Sequence, residues 1–268
     1  MQQVEPVLKS MGVEIIKNCT SAFSADLQRK AIADLVDQNV DAVITTAFDI
    51  TSEYVFSEII PASIPFATVI NKSWERRSLF HIGPNDEASG VTIAKLISLY
   101  CRSAPNVVIL APSIEIEGTN RRISGFVTKA QKELIDINVQ QIKPILAETV
   151  ENSCRIVGLE TESILRANEN LDAIYITNGF VKPVCDAVIK HNRQAQIKVF
   201  GHEVFAGMRD YFENGCLAAT VYQNAKQQWY DALLTMSNYL INNIVPSPWI
   251  IANCCVLTRE TLPMAGLV

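Results

Sequence analysis

Val199-Phe200-Gly201-His202-Glu203, followed by Ala218-Ala219-Thr220-Val221-Tyr222-Gln223, decides the reading of this chain. The first piece is an apolar run that stops in a glycine-led turn, and the second ends in a polar amide. Between them one helical stretch, 204–214, is closed by Gly215. A strand–helix–strand unit of this kind belongs to a parallel sheet with a right-handed crossover. The carboxyl ends of such strands are where open α/β sheets place ligands.

The same rhythm extends outward in both directions. Short β-branched runs predict buried strands at 13–16, 42–45, 66–70, 107–110, 173–176, 198–200 and 218–222. Helical patterns lie between them. In 24–39, Leu27, Ala31 and Leu35 recur every four residues with Ile32 and Val36 beside them, and Ser24 is placed to cap the start. Segments 52–60, 87–101, 122–135, 182–192 and 225–243 behave likewise, and Met1 to Met11 carries apolar residues at helical spacing. Repeated βα units predict parallel sheets with helices on both faces.

At 268 residues, nearly half of them apolar, the chain can hold one large domain or two modest ones with a substantial core. A boundary is expected near Arg102-Ser103-Ala104-Pro105, where one run of βα units stops and another begins. The net charge of −5 argues against a nucleic-acid surface, which needs clustered Lys and Arg. No apolar run is long enough to span a bilayer. The start lacks the basic leader and apolar segment of a secretory signal. Seven cysteines, an odd number scattered through apolar segments, predict reduced thiols and a cytoplasmic setting.

Catalytic signatures are absent. No Gly-x-Gly-x-x-Gly follows a strand, there is no phosphate-loop motif, and no Gly-x-Ser-x-Gly elbow appears. His202-Glu203 has no second histidine four residues after the first, and the cysteines lack metal-ligand spacing. His81 is expected as a satisfied interior residue, and His191 as a residue at a helix C-terminus. The expectation is a binding protein: not an enzyme, with no metal and no cofactor.

Several motifs, in order and spacing, resemble the effector-binding domain of the lac repressor family, within the type I periplasmic binding protein superfamily. Arg122-Ile123-Ser124-Gly125-Phe126 resembles the family's Arg-x-x-Gly-Phe element, and by that match Arg122 projects its guanidinium toward a ligand. A fixed fork of five donors suits a polyol or a carboxylate. Asn178 ends a strand where the family has an Asn-Asp pair, although Gly179 replaces the Asp; an Asn-Gly turn is the alternative reading. Gly201-His202-Glu203 stands where many members have Gly-Phe-Asp, a spelling shared with a subgroup of repressor-like proteins. Glu203 is therefore a candidate acceptor, or else a cap for the following helix. Gln223 matches a hinge-side glutamine. Asn71 follows a strand where sugar binders often carry Asp-Arg. Asp86, in Ile82-Gly83-Pro84-Asn85-Asp86, is expected as a helix cap and a possible contact. Phe180, Trp74 and Phe205 are candidates to stack on a ligand, with packing as the alternative.

The resemblance implies two doubly wound parallel-sheet lobes of α/β class joined by a multi-strand hinge. The N-terminal lobe is expected from 1–102 plus 226–248 and the C-terminal lobe from 103–225 plus 249–268. The chain opens inside a helix, so the first lobe is expected to lack its first strand, through a late start codon or a trimmed chain. The implied function is the ligand-sensing core of a lac-repressor-type transcription regulator for a sugar or polyol. It would be cytoplasmic and homodimeric, contact DNA only through a missing N-terminal headpiece, and touch no membrane. The alternative is a solute-binding protein of a sugar uptake system.

Overall fold

The computed structural model describes residues 5–19, 24–47, 55–72, 77–112, 116–133, 135–145 and 150–266. Trp74 and residues 52–54 of the expected 52–60 helix lie outside them. The chain divides into two units, the first Met1–Pro84, Glu115–Glu117 and Asn224–Ala252, the second Asn85–Ile114, Gly118–Gln223 and Asn253–Val268.

The first unit opens with α1 (Glu5–Ser10), α2 (Ala25–Val36), β1 (Val43–Thr45), α3 (Val55–Ile59), β2 (Phe66–Val69) and β3 (Phe80–Gly83). The second follows with α4 (Asp86–Tyr100), β4 (Asn106–Pro112), α5 (Glu117–Ser124), a π-helical turn at Gly125–Lys129 and α6 (Ala130–Lys132). It continues through β5 (Asn138–Ile145), α7 (Val150–Ala167), β6 (Ala173–Ile176), α8 (Val181–Lys190), β7 (Lys198–His202), α9 (Met208–Glu213) and β8 (Leu217–Tyr222). The chain then returns to the first unit with α10 (Ala225–Asn242) and β9 (Trp249–Ile251), and ends in the second with β10 (Cys255–Leu257).

The first sheet has the order β1-β2-β3-β9, and every described pairing in it is parallel. Strand side chains alternate between faces. Val43 and Phe66 therefore join Ile32 of α2, Phe56 of α3 and Ile60 just after α3 on one side. Ala67, Val69, Phe80 and Ile82 meet Ala232 and Met236 of α10 on the other. Ser24 caps α2 as expected, its oxygen accepting from Leu27 N at 3.3 Å. The buried stripe of that helix is turned relative to the expected one: Leu27 is exposed, whereas Gln28 is buried and donates to Thr45 Oγ1 at 3.0 Å.

The second sheet has the order β10-β8-β7-β6-β4-β5, parallel except that β10 runs antiparallel to β8. Val108, Leu110, Ile174, Ile176 and Val199 pack on α7 and α8 on one face. Val107, Ile109, Tyr175, Phe200 and Val221 pack on α4 and Phe126 on the other. The apolar runs of β6 and β7 thus read as strands covered on both faces, as in a doubly wound sheet.

Several expectations are corrected. Residues 13–16 join no ladder; Val13 N bonds back to Leu8 O at 2.9 Å, closing α1, and Ile16 is exposed. Helix α4 packs its Ile93, Ala94 and Ile97 on the second sheet, so the first crossing falls at 84/85 and not at 102. Residues 249–268, expected wholly in the C-terminal lobe, are divided: β9 pairs with β3 in the first unit and only β10 pairs with β8 in the second. The helix expected over 122–135 starts at Glu117 and passes through the π turn. The helix expected from Val204 begins only at Met208, behind Gly207 at φ 79°.

Candidate functional site

The second unit assembles a buried polar cluster at the carboxyl ends of β6, β7 and β8, under the N-terminal part of α4 and under α5. Its centre is Arg122, only 7% exposed. Nε donates to Asp86 Oδ1 at 2.8 Å, Nη1 to the Thr177 carbonyl at 2.7 Å and Nη2 to Gln223 Oε1 at 3.1 Å. These bonds use three of the five guanidinium N–H donors and leave one on each terminal nitrogen.

Two glycines bring the helices together. A Cβ on Gly90 would stand 2.0 Å from the Arg122 carbonyl oxygen, and one on Gly125 would stand 2.1 Å from the Glu87 carbonyl oxygen. Only hydrogen in place of a side chain lets α4 and α5 approach this closely, and that approach seats Asp86 beside Arg122. Asp86 is therefore not the cap expected. Asn85 caps α4, accepting from Ala88 N at 3.0 Å, and Asp86 in the first turn is committed to the ion pair.

Glu203 follows β7 at φ 67°, a conformation side-chain-bearing residues rarely adopt. It does not cap a helix, because α9 starts later. Its N–H donates to the Val221 carbonyl at 2.9 Å and its carbonyl accepts from Thr220 Oγ1 at 2.9 Å, which ties the turn to β8. Burial raises its carboxyl pKa, while a hydrogen bond from Gln223 and the charge of Arg122 pull the other way. Its Oε1 and Thr177 Oγ1 are buried without a partner among the described residues.

Burial is the largest single effect and works against the charge of Arg122, but Asp86, Tyr175 and Glu203 together outweigh it and raise the pKa, so the guanidinium stays ionised. His202, behind the turn, is 1% exposed, and its Nε2 lies 2.8 Å from Tyr175 Oη. Burial, reinforced by Arg122, keeps this imidazole well below its usual range, hence neutral. Burial likewise raises the Tyr175 pKa.

Asn178 lies at the end of β6, where Oδ1 accepts from Phe180 N at 3.1 Å. The turn-forming reading thus holds for its oxygen. Phe180 and Phe205 pack, partly buried, against the core, Phe205 with its ring 5.5 Å from Tyr211, in line with the packing alternative.

Asn71 belongs to the first unit. It follows Ile70, a β-branched residue at φ 67°, in a tight turn where Asn71 N donates to the Val69 carbonyl at 2.8 Å. Beside it Lys72 Nζ lies 4.8 Å from the Trp249 ring centroid. His81 is buried as expected, its Nδ1 2.9 Å from Thr68 Oγ1, and His191 is the C-cap of α8.

Sequence reasoning missed Thr177, the Tyr175–His202 pair and the Asp86–Arg122 bond. Among the described residues no group of three or more His, Cys, Asp or Glu side chains stands together to hold a metal, and no helix is long and apolar enough to cross a membrane. A surface cavity of 360 Å³ beside α4, lined by Val91, Lys95, Leu96 and Glu133 among others, shares no residue with the cluster.

Residues 1–243 match the model of the periplasmic binding protein domain, so the chain belongs to that family. No curated protein matches in sequence. Among solved structures, the fold is similar to that of a carbohydrate transporter solute binding protein from Agrobacterium radiobacter in complex with D-arabinose. The TM-score is 0.87 at 13% identity, covering 99% of this chain and 90% of that one. It is also similar to an ABC transporter periplasmic solute binding protein from Actinobacillus succinogenes with bound D-allose, with TM-score 0.82, 20% identity and coverage of 98% and 92%. A glucose-galactose binding protein from Geobacillus stearothermophilus gives TM-score 0.82 at 18% identity, with coverage of 98% and 92%. At these identities the likeness establishes the fold: α/β, with parallel-sheet lobes of the type I periplasmic binding protein kind.

Proposed function

We propose that this chain is a sugar-binding protein of the solute-binding type, serving an uptake system. The reading is carried by the Arg122 cluster. A guanidinium neutralised by Asp86, beside a carboxyl whose burial favours its neutral form, makes a site of little net charge with many hydrogen-bonding atoms. Such a site matches hydroxyl groups, each both donor and acceptor, better than a carboxylate or phosphate, because Asp86 already answers the Arg122 charge that an anion would need. This narrows the polyol-or-carboxylate expectation to the polyol.

In this reading Arg122, Asp86, Gln223, Glu203 and Asn178 of the second unit contact the ligand. The solved structures with bound sugars support the ligand class, and their transport descriptions favour this role over a regulator. Titration calorimetry with D-arabinose, D-allose and D-galactose, and with D-galacturonate as the charged comparison, tests it. Heat from a neutral sugar and none from the acid is expected; binding of the acid alone contradicts it.

A second reading, the effector-sensing core of a cytoplasmic lac-repressor-type regulator, rests on the Gly201-His202-Glu203 spelling. Fractionating the native cells separates the two, because recovery in the cytosol supports the regulator and recovery outside the inner membrane supports uptake.

A further inference from the structure

The cluster has a neighbour that the motifs did not single out. β10 lies against β8 with Cys255 opposite Tyr222, Val256 opposite Val221 and Leu257 opposite Thr220. Both strands end at the Cys255–Tyr222 pair, and continuing the register one step beyond it sets Cys254 opposite Gln223. Facing residues of an antiparallel pair project from the same side of the sheet, and Val221 and Val256 lie together in the core on that side. Alternation along β6 and β7 puts Thr177 above Tyr175, and His202 above Phe200, on the same side.

Cys254 is solvent-exposed as a residue, yet partial burial of its thiol pushes the pKa up to about 11, with the charge of Arg122 pulling it down and those of Asp86, Glu203 and Cys255 pushing it up. An independent observation marks this as a place for a ligand. The Thr177 side chain is fully buried, its hydroxyl has no partner among the described residues, and its own carbonyl holds Arg122. A buried hydroxyl left unmatched in this way is costly unless a polar guest completes it.

We propose that Cys254 forms one wall of the Arg122 site, so that a group placed on its sulfur occludes that site. The occlusion rests on the sugar-binding reading; the placement of the thiol does not.

The modifying step is a thiol–thiosulfonate exchange. The Cys254 thiol loses its proton to solvent, and the thiolate attacks the thio sulfur of methyl methanethiosulfonate. An S–S bond forms and methanesulfinate leaves. Dithiothreitol reverses the step, being oxidised as methanethiol is released.

The first measurement follows methylthiolation of each cysteine of the whole chain against pH by peptide mass spectrometry. It compares the parent protein with Arg122→Gln and Asp86→Asn. Removing a nearby cation disfavours the thiolate, and removing a nearby anion favours it. The Cys254 midpoint is expected to rise in Arg122→Gln and fall in Asp86→Asn, each by about half a pH unit or more, while that of Cys19 in the first unit stays put. General loosening of the fold cannot give shifts of opposite sign. A Cys254 midpoint that stays put, or moves only as Cys19 does, overturns the placement.

The second measurement titrates D-arabinose, D-allose and D-galactose before and after modification. For whichever sugar binds, affinity is expected to fall at least about tenfold on modification and to return with dithiothreitol. In Cys254→Ser the affinity, whatever its value, is expected to be the same before and after the reagent. Full modification of Cys254 with unchanged affinity overturns the wall. If none of the three sugars binds the untreated protein, the sugar reading fails for them and the pH midpoints alone decide where Cys254 stands.

Discussion

At the scale of single residues, Arg122 organises the second unit, and its pairing with Asp86 is buried on both sides. Breaking such a pair strands the remaining charge. Arg122→Met is expected to cost about 3–5 kcal/mol in urea unfolding, and adding Asp86→Leu should recover much of that loss. His202 sets a pH dependence. Its folded pKa lies well below the ordinary value, so on acidification below about pH 6.5 the unfolded chain takes up a proton that the folded chain refuses. That part of the stability is present above pH 6.5 and drains away as the pH falls. Glu203 has the opposite sign: its pKa is raised, so its contribution is present at low pH and is lost as pH rises through the folded pKa. His202→Phe is therefore expected to lose about 1–3 kcal/mol at pH 7.5, because Tyr175 Oη loses its partner, yet to weaken less than the parent protein between pH 7 and about 5. A parallel pH curve for the two proteins contradicts the assignment. The sequence pointed to Arg122, Glu203 and Gln223 because each follows a short motif at a strand end or helix start. It hid the Asp86 bond, because an Asp before a helix spells a cap equally well, and only the crossing of α4 and α5 decides between the two roles.

At the scale of elements, that crossing depends on Gly90 and Gly125. Gly125→Ala drives a methyl group into the Glu87 backbone, where no flexible side chain can yield. A loss of about 1–3 kcal/mol is expected in thermal or urea unfolding. A methyl group on Gly158, within α7, would come no nearer than 3.9 Å to its neighbour Pro183. Gly158→Ala should instead stabilise by about 0.5–1 kcal/mol through helix propensity. Equal effects from the two substitutions would contradict the close-approach argument. The buried strands were legible because β-branched runs covered on both faces have few alternatives. β5 and α7 were not: β5 is a largely exposed edge strand carrying Gln140, Gln141 and Pro144, without an apolar run to betray it. Residues 13–16 show the converse failure. Their composition suits a strand, but a strand exists only where a neighbour supplies hydrogen bonds, and composition does not name the neighbour.

At the scale of the whole molecule, the chain leaves and re-enters each unit, so neither sheet is built from one continuous stretch. α10 and β9 close the first sheet, and β10 adds an antiparallel edge to the second. This interleaving was legible only in outline, because periodicity predicts elements and not where the chain crosses; α4 and the two halves of 249–256 are the places where the outline moved. The central claim is that the Arg122 cluster receives an uncharged sugar. Its most direct test is titration calorimetry of the full chain and of Asp86→Asn with D-arabinose, D-allose and D-galactose. The account predicts saturable heat with at least one sugar in the parent protein, and affinity at least about tenfold weaker in the folded variant, since the group that orients Arg122 is lost. A sugar that binds both proteins equally well would contradict it.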